Sequence, residues 1–195
     1  MHYVIVPGIN GSGPDHWQTL WQDGWGPRAR RITPSSWDNP DLDDWCQALD
    51  QAAHRYRPPS GVVLVAHSLG CLAAACWLQR RQQPGIRGAF LVAPPDAAGP
   101  DFPATAAPTF SMLEAAPLPV PGLVVSSDDD PYCTARAAQC LAAQWQAGHV
   151  SIGLAGHINV ASGLGTWQSG RALLRAFTAG IGYLRPDDAV PCSVW

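Results

Sequence analysis

Residues 62–77 read VVLVAHSLGCLAAACW. This stretch limits the fold more than any other. Val62 to Val65 is a β-branched, apolar run of the kind buried on both faces of a sheet. Cys71 to Trp77 is alanine-rich and apolar all round, which suits a buried helix. Between them stands Ala66-His67-Ser68-Leu69-Gly70. A buried strand that passes within a few residues into a buried helix needs a tight turn, with small residues where the two backbones come close. It also places a serine hydroxyl at the carboxyl end of a strand, above the sheet, beside the N-terminus of a helix.

The rest of the chain keeps the same alternation. Strands are expected at 2–6, 29–33, 61–66, 88–92, 122–126 and 150–154. Helices are expected at 14–23, 42–56, 68–82, 132–146 and 166–183. In the second helix Leu42, Trp45, Leu49 and Ala52 or Ala53 recur at helical spacing. Asp41, Asp43 and Asp44 lie at its start, where carboxylates suit the helix dipole. Strand-helix alternation predicts an α/β fold with a mostly parallel sheet covered by helices on both faces. Residues 94–121 interrupt the rhythm with a proline- and alanine-rich connection, in which 110–116 hints at a helical turn. A connection of this length in a compact domain tends to carry function. The segment after Pro186 reads as a loose end. The 195 residues, 47% hydrophobic and 14% charged, suit one domain over the whole chain.

Composition narrows the function. A formal net charge of -3 gives no electrostatic footprint for nucleic acid or an anionic membrane. No run reaches the roughly 18 apolar residues of a membrane span, and the start lacks the features of a secretory leader. The cytoplasm is the expected location. The six cysteines form no C-x-x-C pair and no zinc-site spacing, so they are expected to be reduced and structural, and no metal is expected. The sequence does not set the oligomeric state.

In a parallel α/β sheet, ligands bind beyond the carboxyl ends of the strands. Ser68 follows one such end in a turn close to the G-x-S-x-G nucleophile elbow, with Ala66 in place of the first glycine. A serine can simply cap a helix, but a nucleophilic serine needs a base, and that base needs an orienting acid. On this architecture both should follow later strands, acid first. Asp128, Asp129 and Asp130 follow the apolar run 123–125, and His157 follows the strand at 150–154. One of the three aspartates fits the acid; the other two read as a turn capping the next helix. His67 reads as structural or as a wall of the site. His2, His16, His54 and His149 lack the placement of a catalytic base.

Oxyanion donors are expected from the Leu69 N–H and from the loop Pro7-Gly8-Ile9-Asn10-Gly11-Ser12-Gly13, at the Ile9 N–H with Asn10 as the near alternative. The same loop does not spell G-x-G-x-x-G, and no G-K-[ST] exists, so it is not read as a nucleotide site. Trp37, after the second strand, is a candidate pocket wall along with Asn10 and His67. Trp17 and Trp21 are expected in the core.

The motifs VPGINGSGPDHWQTLW, PSSWDNPDLDDW, VAHSLGC, LVAPPD, SSDDDPYC and GHINVASGLGTW resemble those of the small α/β-hydrolases grouped with retinoblastoma-binding protein 9 and its bacterial relatives. The resemblance spans nearly the whole chain. It implies a compact α/β-hydrolase fold with about six mostly parallel strands and minimal or no lid. It also implies a serine hydrolase with Ser68 as nucleophile, His157 as base and Asp130, the aspartate before proline, as the third member. No cofactor is implied. The expected partner is a small-molecule ester, with short acyl groups favoured because a lid is lacking; thioester and amide chemistry use the same groups. A second reading is a non-enzymatic interaction module, since one family member is named for binding a protein. Against it, the chain has no L-x-C-x-E segment.

Overall fold

The computed structural model describes residues 1–54, 61–80, 83–111 and 113–183. Six strands form one parallel sheet: β1 (His2–Val6), β2 (Ala29–Arg31), β3 (Val62–His67), β4 (Ile86–Val92), β5 (Gly122–Ser126) and β6 (Gly148–Ser151), in the spatial order β2-β1-β3-β4-β5-β6. The order reverses between β1 and β3, which puts a crevice beyond the carboxyl ends of these two central strands. Among the described residues, five α-helices cover the sheet: α1 (Trp17–Trp25), α2 (Leu42–His54), α3 (Leu69–Arg80), α4 (Ala135–Gln144) and α5 (Gln168–Tyr183).

Strand alternation divides the core in two. Ile5, Val63, Val65, Phe90, Val92 and Val125 face α1 and α5. Val4, Val6, Leu64, Ala66, Leu91 and Val124 face α2, α3 and α4. Trp17, Trp21 and Trp167 interlock on the first face, with ring centroids 4.6 to 5.7 Å apart. Trp17 and Trp21 are fully buried there, as their spacing on α1 predicts. Trp17 and Trp21 each donate the indole N–H to a backbone carbonyl, of Ile158 and Thr166 respectively, so burial leaves neither polar tip unpaired.

Four strands differ in their bounds from the sequence expectation: β3 is shifted one residue later, to Val62–His67, β4 begins earlier, at Ile86, and β2 and β6 end earlier. β2 stops at Arg31, although the Ile32 N–H still donates to Ile5 O; the Arg31 guanidinium holds Gly11 O, Ser12 O and Thr19 Oγ1. β6 begins earlier and ends at Ser151, not 154. The N–H groups of Ala155 and Gly156 are taken by the Asp129 carboxylate, which bends the chain out of the sheet. Helix α1 starts at Trp17 rather than at 14, because His16 caps it: Nδ1 accepts the Gln18 N–H at 3.2 Å. Helix α4 starts at Ala135 because Thr134 caps it. The expected continuations of α2 past 54 and of α3 past 80, and the segment after Pro186, lie outside the described residues.

The 94–121 connection carries one short 3-10 turn among the described residues, Pro108–Phe110, slightly earlier than expected. It is pinned to α2: Thr109 Oγ1 accepts the Leu42 N–H, and buried Phe110 packs edge-on against Trp45. No helix among the described residues is long and apolar enough to cross a membrane.

Candidate active site

Ser68 sits between β3 and α3 with φ at +53°, a left-handed backbone that a non-glycine residue adopts only under constraint. The constraint is visible. Ser68 N–H donates to Val92 O at 2.9 Å, tying the turn to β4. Gly70 allows the close approach: a Cβ there would lie 2.3 Å from Val6 O and 2.4 Å from Pro7 O. The small residue the turn depends on is thus Gly70, two positions after the serine, while Ala66 is a buried β3 residue facing α3.

The side chains meet above the sheet. Ser68 Oγ lies 2.8 Å from His157 Nε2. His157 Nδ1 lies 2.9 Å from both carboxylate oxygens of Asp130. A carboxylate only accepts, so the His157 proton sits on Nδ1, and Nε2 presents its lone pair to the serine hydroxyl. Asp130 and His157 are 8% and 9% exposed, dry enough for the contact to count electrostatically. Asp130 Oδ1 also accepts the Tyr132 N–H at 2.9 Å. The Tyr132 ring stands edge-on to the imidazole at 4.6 Å.

The other two aspartates do not cap the following helix, contrary to expectation. Asp128 accepts from Ser151 Oγ, and Asp129 accepts from Ser127 Oγ and the N–H groups of Ala155 and Gly156. The Ser127 hydroxyl, with the Gly156 and Ala155 N–H groups, holds the Asp129 carboxyl below its ordinary value, and that contact shapes the loop carrying His157.

Ile9 opens the 3-10 turn Ile9–Gly11, and Leu69 opens α3. A first helical N–H has no partner within its own helix, so both can serve a ligand. Asn10 cannot act as the alternative donor through its backbone: its N–H already bonds Trp37 O at 3.2 Å. Gly8 packs directly on the serine, since a Cβ there would come within 2.7 Å of Ser68 Cβ.

A cavity of about 470 Å³ opens over these groups, lined among others by Asn10, His16, His67, Pro103, Tyr132 and Asn159. Asn10 and His67 therefore border it as expected. Trp37 does not. It packs edge-on against Trp45 and fills the space beside Gly11, while its carbonyl accepts the Asn10 N–H. Among the described residues, no aspartate, glutamate, lysine or arginine lines the cavity. A larger cavity of about 620 Å³ lies between α3 and α4, shares only Pro95 with the first, and is not lined by Ser68, Asp130 or His157.

Sequence reasoning missed Gln18, which is fully buried and whose amide donates to Val6 O and Val65 O while accepting from Ser12 Oγ. It links the ends of β1 and β3 to the glycine loop; a glutamine within an apolar helical stripe was the available signal. His16, Tyr132 and Asn159 were also missed as cavity residues, because their placement depends on loops. Cys71 and Cys133 lie nearby, but burial pushes both thiols up, Cys133 to about 12, so neither supplies a thiolate. Among the described residues, no cluster of histidine, cysteine or carboxylate groups could hold a metal ion.

The family model for serine hydrolases matches residues 3–176. The chain belongs to the serine hydrolase family. A search of curated proteins found no match. Among solved structures, the chain is similar to one described as a YdeN-like hydrolase from Pectobacterium atrosepticum, at 34% identity and a TM-score of 0.80, over 92% of this chain and 91% of that one. The ydeN gene product of B. subtilis aligns at 22% identity and a TM-score of 0.76, over 92% and 100% of the two chains. The esterase domain of a Rhodothermus marinus protein aligns at 17% identity and a TM-score of 0.67, over 91% and 86%. The last two speak for the fold alone, which is that of the α/β-hydrolases. The chain is thus a serine hydrolase on a compact α/β-hydrolase fold.

Proposed function

We propose that this hydrolase cleaves small carboxylic esters through an acyl-enzyme formed on Ser68. His157 Nε2 takes the hydroxyl proton as Oγ attacks the ester carbonyl. The charged imidazole then gives that proton to the departing alcohol. Asp130 keeps the imidazole in the tautomer with Nδ1 protonated and stabilises its charged form. The N–H groups of Ile9 and Leu69 bind the oxygen that becomes negative. Water, deprotonated by His157, attacks the acyl-enzyme, releases the acid and restores Ser68. The observation that carries this reading is the unbroken chain Ser68 Oγ–His157 Nε2 and His157 Nδ1–Asp130, with both links under 3 Å.

The substrate is uncharged near the reacting carbon, because among the described residues no aspartate, glutamate, lysine or arginine faces the cavity. Its acyl group is short, since the 94–121 connection sets Pro95, Pro103 and Ala106 in the cavity wall and, among its described residues, supplies no broad apolar cover. We further place the protein in the cytoplasm as one α/β-hydrolase domain over residues 1–195; the five described cysteines are free thiols, which suits a reducing compartment.

A fluorophosphonate probe tests the assignment. The expected result is one covalent adduct on Ser68 in the folded protein and none in Ser68→Ala. Folded wild-type protein that resists labelling, and hydrolyses p-nitrophenyl acetate no faster than Ser68→Ala, would instead support a binding module.

A further inference from the structure

His16 Nε2 is a buried polar atom in the cavity wall for which the structure offers no partner. An orphaned buried donor is costly and calls for an explanation. The ring is 4% exposed. Its other nitrogen, Nδ1, accepts the Gln18 N–H, so that atom bears no proton and the neutral ring carries its hydrogen on Nε2. Burial, assisted by the charges of Arg31 and His157, pushes the His16 pKa down to about 4, so the ring is neutral near pH 7.

His67 supplies the complement. Its Nε2 lies 2.9 Å from the carbonyl oxygen of His157. A carbonyl only accepts, so His67 carries its proton on Nε2 and a lone pair on Nδ1. Burial, with the neighbouring His157 and His16, drives its pKa well below the ordinary value, and this ring too is neutral. The two rings meet edge to face, 4.7 Å between centroids at 63°. One ring holds a donor without an acceptor, and its neighbour holds an acceptor lone pair.

We propose that His16 and His67 are positioning residues for the reaction described above, joined in a directional chain behind the triad. Gln18 N–H donates to His16 Nδ1, His16 Nε2–H donates toward His67 Nδ1, and His67 Nε2–H donates to the His157 carbonyl. In the structure this middle link is open, since His16 Nε2 has no partner and the rings stand at 63°, so the chain requires the two rings to turn toward one another. No proton moves along the chain, and both imidazoles stay neutral. The chain fastens the main chain of His157 to the residue directly before Ser68. Through His16 it also fastens both to the cap of α1, and so to the loop that presents Ile9. Nucleophile, base and oxyanion donor are held against one another by groups that touch none of the reacting atoms. The inference rests on the Ser68-His157-Asp130 reading of the site.

Two substitutions at His67 separate this role from packing. Phe keeps an aromatic ring and loses both hydrogen bonds; Gln keeps a donor and an acceptor and loses the ring. His67→Phe is expected to lower kcat roughly 100-fold with KM within about threefold, the scale of a misplaced catalytic group. His67→Gln is expected to recover about tenfold of that loss, as a retained hydrogen bond should. Equal or greater activity in His67→Phe overturns the proposal. Long-range 15N–1H spectra of the wild-type imidazoles need no substitution and test the same point should either variant fail to fold. Both His16 and His67 must show the proton on Nε2 at pH 7. A proton on Nδ1 of either ring overturns the chain. The spectra decide this whether or not Ser68→Ala abolishes hydrolysis, so a failure of the hydrolase reading shows separately.

Discussion

Ser68 Oγ and His157 Nε2 stand 2.8 Å apart although 89 residues separate them in the chain. The contact exists because β3 is central, β6 is an edge strand, and the loop after β6 reaches back across β5 and β4. Asp129 holds that loop from the end of β5 by two main-chain N–H groups, and His67 holds it from the end of β3 through the His157 carbonyl.

Asp130→Asn should lower kcat by about three to four orders of magnitude with the fold intact. The amide retains an oxygen for the Tyr132 N–H but turns its NH₂ toward His157 Nδ1, which favours the wrong tautomer. Steady-state kinetics with a p-nitrophenyl ester, beside an unchanged circular dichroism spectrum, check this. A loss under tenfold would remove Asp130 from the mechanism.

Two glycines should fail in different ways. Gly70→Ala sets a methyl group 2.3 Å from Val6 O and 2.4 Å from Pro7 O, both rigid backbone. It should cost about 2 kcal/mol or more of stability, read as a lower urea midpoint. Gly8→Ala meets the Ser68 side chain instead, at 2.7 Å from Cβ. It should depress kcat/KM far more than stability, because what must move is the nucleophile.

Acyl-chain length should matter, and Trp37 should not decide it. A series of p-nitrophenyl esters is expected to peak at short acyl groups in the cavity of about 470 Å³. Trp37→Phe should leave the position of that peak unchanged, since the ring packs on Trp45 and not on the cavity. A peak at long chains, or one that shifts in Trp37→Phe, would show a different acyl site.

Acid should weaken the fold through the buried imidazoles. His16 titrates at about 4 when folded, against an ordinary 6.5. Between those values the unfolded chain binds a proton that the folded chain refuses, so stability falls as pH drops from about 6.5 toward 4. His67, also depressed, acts in the same direction. Urea midpoints at pH 7 and 4.5 should differ, and His16→Asn should reduce the difference while its side chain still caps α1. The same slope in wild type and variant would contradict the burial of a neutral His16.

Much of this was legible in one dimension. Strand β1 and strand β5 fall where their apolar runs lie, and Ser68, Asp130 and His157 follow strand ends in the expected order. Misreadings cluster where a side chain from elsewhere overrides local pattern. β6 reads to 154 by periodicity, yet Asp129 pulls Ala155 and Gly156 out of the sheet. Trp37 reads as a pocket wall from its place after β2, yet Gly11 leaves a gap that its ring fills. Asn10 reads as a spare donor, yet Trp37 takes its N–H.

The sequence alone determined the parallel sheet, the turn that lifts Ser68 above it, and the chemical types able to complete a triad, because these follow from hydrophobic periodicity and from residues adjacent in the chain. Only the tertiary structure decided which N–H groups remain available, that Trp37 packs away from the cavity, and how His16 and His67 stand behind the base. Each of those outcomes depends on distances between segments far apart in the chain, and a hydrogen bond that is already made cannot be read from the residue that would have offered it.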